Sequence, residues 1–172
     1  MTDRHMHSPW RSQYIEGAKG EDAEGRCVFC TTPEEADAKR DEERLIVLRG
    51  QQAYVCMNLF PYNAGHLLIN PYRHVSDLDE LRDDEYQEIF GLLRVGQRLL
   101  RKALKPGGFN VGINLGAAAG AGIAGHLHVH LIPRWGGDTN FMPTAADIRV
   151  VSLGMQDVLA RLQAAVREDQ SG

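Results

Sequence analysis

Apolar residues along the chain follow two periods, and the change from one to the other divides it into elements. Residues 45–48 and 53–59 are β-rich runs separated by Arg49, Gly50, Gln51 and Gln52, which predicts an antiparallel hairpin. Residues 66–69 predict a third short strand after a turn supplied by Pro61, Asn63 and Gly65. From Asp83 the spacing becomes helical. Ile89, Phe90, Leu92, Leu93, Gly96, Leu99, Leu100, Ala103 and Leu104 form one stripe, opened by Asp83, Asp84 and Glu85 and stopped by Pro106, Gly107 and Gly108. Phe109, Val111, Ile113 and Leu115 alternate with polar or small residues as a fourth strand. His126, Leu127, His128, Val129, His130, Leu131 and Ile132 make a fifth. A last amphipathic helix is expected at residues 152–168, with Leu153, Val158, Leu159, Leu162, Ala165 and Val166 inward. The sum is an α+β domain: an antiparallel sheet of five strands with one long helix and a C-terminal helix.

The remaining segments carry weaker signals. Residues 1–26 are polar and charged around Trp10, Tyr14 and Ile15, so a loose leader is expected before a single domain at 27–172 with a C-terminal extension. Residues 31–43 suit a solvated loop or a short irregular helix, and residues 134–143 a long glycine-bearing loop. A length of 172 residues suits one domain with a self-sufficient core. The net charge of −4 supplies no general pull toward nucleic acid or an anionic membrane. No apolar run of about 18 residues is present to span a bilayer, and the N-terminal segment does not resemble a secretory signal, so a cytoplasmic protein is expected. Cys56 lies in an apolar run and reads as an inert buried thiol. Cys27 and Cys30, spaced C-x-x-C, suggest a metal clamp or a redox pair.

The histidine run carries the chemistry. In a strand alternate side chains share a face, so three imidazoles would line one side while the apolar residues fill the other. The stretch at 116–125 (GAAAGAGIAG) holds no side chain larger than Ile123, which lets a ligand approach backbone N–H groups as in a phosphate cradle. An imidazole beside such a cradle can attack phosphorus when neutral, pointing to phosphoryl or nucleotidyl transfer. His128, flanked by histidines on both sides, is the expected nucleophile.

These residues resemble a known family. HLHVHLI at 126–132 is the H-φ-H-φ-H-φ-φ pattern of the histidine triad (HIT) family, and NLFPYNAGH at 58–66 with LLINPYRH at 67–74 is similar to its earlier conserved block. The resemblance spans about residues 27–143. It implies a five-stranded antiparallel sheet with a long helix, paired into a homodimer. It also implies a covalent nucleotidyl intermediate on His128, and contact of His130 with phosphate or leaving group. Asn58 would bind ribose hydroxyls, Asn114 would lie at the phosphate, and Leu59, Phe60 and His66 would border the nucleoside. The backbone of Gly120, Ala121 and Gly122 would help hold phosphate. The chain has Gly122 and Ile123 where many relatives have Gln or Ser, so backbone donors must substitute for a side chain there, or the rate of transfer to water will differ.

Residues 133–143 (PRWGGDTNFMP) resemble the subgroup of diadenosine tetraphosphate phosphorylases and related dinucleoside polyphosphate enzymes, with Trp135 either stacking on a base or pinning a dimer contact. By the same resemblance Cys27, Cys30, His74 and His126 form a tetrahedral zinc set, structural because the protein fills every position. The expected activity is cleavage of dinucleoside polyphosphates, with the nucleotidyl group passed from His128 to inorganic phosphate (phosphorylase) or to water (hydrolase). The alternatives are a nucleoside phosphoramidase and a non-catalytic, zinc-stabilised nucleotide-binding module. No nucleic-acid or membrane partner is expected.

Overall fold

The computed structural model describes residues 24–34, 37–138 and 153–170. Residues 1–23 of the expected leader and 139–143 of the expected loop therefore lie outside the described residues.

Five strands form one antiparallel sheet: β1 (Ile46–Arg49), β2 (Ala53–Met57), β3 (Leu67–Pro71), β4 (Gly108–Ile113) and β5 (Val129–Arg134), in the order β1-β2-β3-β5-β4. The described helices are α1 (Val28–Thr31), α2 (Ala38–Glu43), α3 (Asp83–Leu104) and α4 (Met155–Gln170). Of the two alternatives for residues 31–43, the structure has the short helix, α2, while α1 ends where that segment begins. Helix α2 is capped by Asp37, whose side chain accepts from the Lys39 N–H.

Side-chain alternation gives the sheet two unlike faces. Ala53, Val55, Met57, Leu67, Ile69, Val129 and Leu131 meet Ile89, Leu99 and Leu100 of α3 and Val158, Leu159, Leu162 and Ala165 of α4 in the main core. The opposite face carries a smaller cluster, Phe29, Ile46, Tyr54, Cys56 and Leu68, and among the described residues no long helix packs on it. This second face is where a ligand has room. Helix α3 ends where the sequence says: Pro106 disfavours a helical residue before it, and Lys105 takes the left-handed conformation with φ 51°. The Glu88 carboxylate accepts the backbone N–H groups of Gln51, Gln52 and Ala53, tying α3 to the β1–β2 turn.

One expectation needs correction. The histidine strand begins at Val129, so His126 and His128 precede it and only His130 lies within it. The bond partners explain this: the Leu127 N–H goes to Val75 O at 2.6 Å, outside the ladder. The alternation nonetheless persists, with Leu127, Val129 and Leu131 in the main core.

Candidate functional site

His130 pairs with Leu68 of β3 and Gly112 of β4, which sets it in the middle of the open face. His128 stands beside it, ring centroids 4.9 Å apart and nearly perpendicular. The two rings are held in defined protonation states by their neighbours. His128 Nδ1 lies 2.7 Å from the main-chain oxygen of His126; a carbonyl only accepts, so Nδ1 carries the proton and the Nε2 lone pair is left exposed for attack. Burial pushes the His128 pKa down, opposed by that same bond, which favours the neutral ring a nucleophile requires.

A second chain of bonds fixes the other ring. The Tyr62 N–H donates to His66 Nδ1 at 3.2 Å, and Asn58 Nδ2 lies 3.3 Å from the same atom, making it an acceptor. Neutral His66 must then carry its proton on Nε2, which lies 2.9 Å from His130 Nδ1. His130 in turn holds its proton on Nε2. The pair therefore presents one lone pair and one N–H, the complement needed for attack on phosphorus with a proton available to the departing oxygen.

Both rings line a pocket of about 340 Å³. Phe29, Leu45, Met57, Leu59, Phe60, Leu68 and Ile123 supply its apolar wall, and Glu43, Arg44, Asn58, Asn114, Gly120 and Gly122 add charged and polar groups. An apolar slot with a few polar groups suits a flat ring system joined to an anion.

Among the expected site residues, Asn58, Leu59, Phe60, Asn114, Gly120, Gly122, His128 and His130 come together around this pocket. Three others do not line it. His66 is fully buried behind His130 and acts through that ring rather than on a nucleoside. Trp135 is half-buried in the turn after β5, where its N–H goes to Asp138 Oδ2; Arg134 and Asn63 hold the same carboxylate and keep the turn away from the pocket. Ala121 donates its N–H to Gly116 O, and Gly120 donates to Ala117 O. Within the expected cradle those two donors close the loop on itself, while Gly120 and Gly122 line the pocket.

Phe29 and Tyr62 were not legible as site residues. Phe29 packs 5.1 Å from the His128 ring, and Tyr62 stacks on His66 at 4.9 Å. Phe29 had only its place inside the C-x-x-C spacing as a signal.

The four expected ligands do converge. Cys27 Sγ, Cys30 Sγ and ring nitrogens of His74 and His126 lie within 4.8 Å of one another, a set able to hold a metal ion. Cys30 Sγ is 3.3 Å from His74 Nδ1 and 3.5 Å from His126 Nδ1, and Cys27 Sγ is 3.4 Å from the latter. His126 Nε2 donates to Pro71 O at 3.0 Å, which directs the Nδ1 lone pair at the sulfurs. Burial, with Cys27 alongside, pushes the Cys30 thiol up to about 11, and burial pushes His126 down to about 4. A cation among them would reverse the thiol penalty by stabilising the thiolates. Cys56, by contrast, is the inert thiol expected: fully buried, raised to about 12 by desolvation, and contacted by Asn70 Nδ2 at 3.4 Å.

Known proteins resemble this chain. A family model of the HIT domain matches residues 39–137. The AP-4-A phosphorylase of Mycobacterium tuberculosis is 46% identical over 117 residues, 68% of this chain and 60% of its own length, so the chain spans about three fifths of that relative. The asymmetrical bis(5'-nucleosyl)-tetraphosphatase of Schizosaccharomyces pombe is 37% identical over 78 residues, 45% of this chain and 42% of its own. A Zn-bound histidine triad family protein from Mycobacterium smegmatis superposes with a TM-score of 0.61 at 27% identity, covering 84% of this chain and 96% of its own. The histidine constellation, the sheet that carries it and the matched family model together place the chain in the HIT family.

Proposed function

We propose that the protein cleaves dinucleoside polyphosphates, diadenosine tetraphosphate foremost, through a nucleotidyl group carried on His128. The observation that carries this reading is the 2.7 Å bond from His128 Nδ1 to the His126 carbonyl, which leaves Nε2 as an unprotonated nucleophile facing the pocket. Nε2 attacks the phosphorus next to one adenosine and the P–O bond to the rest of the polyphosphate breaks, the departing oxygen leaving as a phosphate anion to which His130 Nε2–H hydrogen-bonds. An incoming inorganic phosphate or water then attacks that phosphorus, the Nε2–P bond breaks to restore neutral His128, and the proton of the attacking group goes to solvent. In this reading Asn58 binds ribose hydroxyls, and Asn114 and Gly122 hold phosphate oxygens. The similarity to the mycobacterial phosphorylase favours phosphate as acceptor.

Cys27, Cys30, His74 and His126 would hold zinc. Tetrahedral zinc with bonds of about 2.3 Å to sulfur and about 2.05 Å to nitrogen spaces the two ligand types about 3.5 Å apart, and three of the four sulfur–nitrogen distances here are 3.3 to 3.5 Å. The ion would supply cross-linking of the fold, with no open position for chemistry. A homodimer across the open edge of β4, where Val111 is 53% exposed, and a reducing cytoplasm that keeps the cysteines as thiols complete the proposal.

Chromatography of the products from diadenosine tetraphosphate, with and without inorganic phosphate, tests the reading. ADP plus ATP that depends on phosphate identifies a phosphorylase, and AMP plus ATP without phosphate a hydrolase. Turnover retained in His128→Asn would refute the nucleophile.

A further inference from the structure

The metal-ligand cluster and the reaction pocket share a wall, and Phe29 is that wall. It sits between Cys27 and Cys30 in sequence, its ring centroid lies 5.6 Å from ligand His126 and 5.1 Å from His128, and it lines the pocket. The helix that carries it, α1, is a single turn of four residues. One turn cannot hold itself, because nucleation costs more than its few bonds return. Its position therefore comes from tertiary ties. Tyr54 Oη donates to Phe29 O at 2.8 Å, and Arg44 Nη1 donates to Thr31 O, Thr32 O and Glu34 O. Those ties anchor main-chain oxygens. The cysteines draw the turn toward the histidine segment, and they lie on either side of Phe29.

We propose that Phe29 is a positioning residue for His128, and that the ligand turn carrying it couples metal occupancy to nucleotide binding. Occupied, the cluster holds Cys27 and Cys30 against His74 and His126. The Phe29 ring is then pressed on the His128 imidazole and gives the apolar slot a firm side. The same ligand, His126, offers the main-chain oxygen that sets the His128 tautomer, so the cluster grips the reacting ring from two directions. Metal and nucleotide both favour one placement of the turn. Each must therefore raise the affinity of the other by the same factor. The inference rests on the pocket being a nucleotide site.

Titration with AMP, on protein loaded with zinc and on protein stripped by chelation, measures the coupling. Zinc is expected to tighten AMP binding on the order of tenfold, and AMP to tighten zinc binding equally. In Phe29→Ala the factor should fall toward one while one zinc per chain is retained, and Phe29→Leu should recover part of it. Equal AMP affinity with and without zinc in the wild type, or undiminished coupling in Phe29→Ala, would overturn the inference.

Should the stripped protein lose its fold by circular dichroism, cobalt(II)-loaded protein supplies the second measurement. AMP should shift the thiolate-to-cobalt absorption in the wild type and leave it unmoved in Phe29→Ala. The same shift in both, or none in the wild type, overturns the coupling. Failure of zinc-loaded wild type to bind AMP at all would instead remove the nucleotide site itself, and the inference with it.

Discussion

Replacement of Gly65 by alanine separates backbone strain from packing, because Gly120 offers a control. Both glycines have positive φ, 77° and 87°. A Cβ at Gly65 would lie 2.6 Å from Leu104 Cδ1 and 3.0 Å from Leu100 Cδ2, whereas one at Gly120 would meet nothing within 4 Å. The left-handed conformation costs alanine about 1 kcal/mol at either position. At Gly65 the added methyl must also displace Leu100, which is fully buried in the main core, a further cost of about 1–3 kcal/mol. Gly65→Ala is thus expected to lose about 2–4 kcal/mol and Gly120→Ala about 1 kcal/mol. Urea unfolding of metal-loaded protein, extrapolated linearly with a common slope, gives both losses under one condition. Equal losses in the two variants would refute the packing term, and a Gly65→Ala loss below about 1 kcal/mol would refute the strain term as well.

Three further outcomes follow from the site and its supports. His66→Ala removes the donor to His130 Nδ1 without opening the pocket, so single-turnover rates should fall on the order of 10²-fold while AMP affinity stays nearly constant; an unchanged rate would sink the tautomer relay. Elemental analysis should find about one zinc per chain, absent in Cys30→Ala, with a midpoint about 10 °C lower or more for the several kcal/mol lost; a metal-free, equally stable wild type would dismiss the cluster as a zinc site. The Arg73 guanidinium, bonding Glu85 at 2.9 and 2.7 Å, holds that buried carboxyl at about 2 against an ordinary 4.5, helped by the Arg82 N–H. Because the folded value is depressed, this stabilisation is present above the ordinary value and disappears as pH falls from 4.5 toward 2. With solvent screening of the half-exposed Arg73 it is worth about 1–2 kcal/mol, read as the stability difference between wild type and Glu85→Gln from pH 6 to pH 3; a difference that grows on acidification would contradict it.

The chain by itself determined the elements and much of the chemistry. Period and punctuation were enough to place α3, since acidic residues begin its stripe and Pro106 ends it, and to mark five strands by alternation and turn residues. Local sterics operate within a few residues, so these features survive in one dimension. The C-x-x-C pair and the histidine run were legible because metal binding and nucleophilic transfer each demand particular side chains at restricted spacing, and His74 and His126 joined the pair through the family resemblance. Tertiary structure decided the rest. Nothing near Trp135 in sequence says that Asn63 holds its turn through Asp138. His66 became a partner of His130 only when β3 and β5 paired, bringing together residues 64 positions apart. Phe29 reached the pocket only when its turn packed on β2 and the histidine segment, far away in sequence. Hydrogen-bond direction and ring contact are properties of distance between remote segments, and a sequence pattern records which groups are available without recording which of them meet.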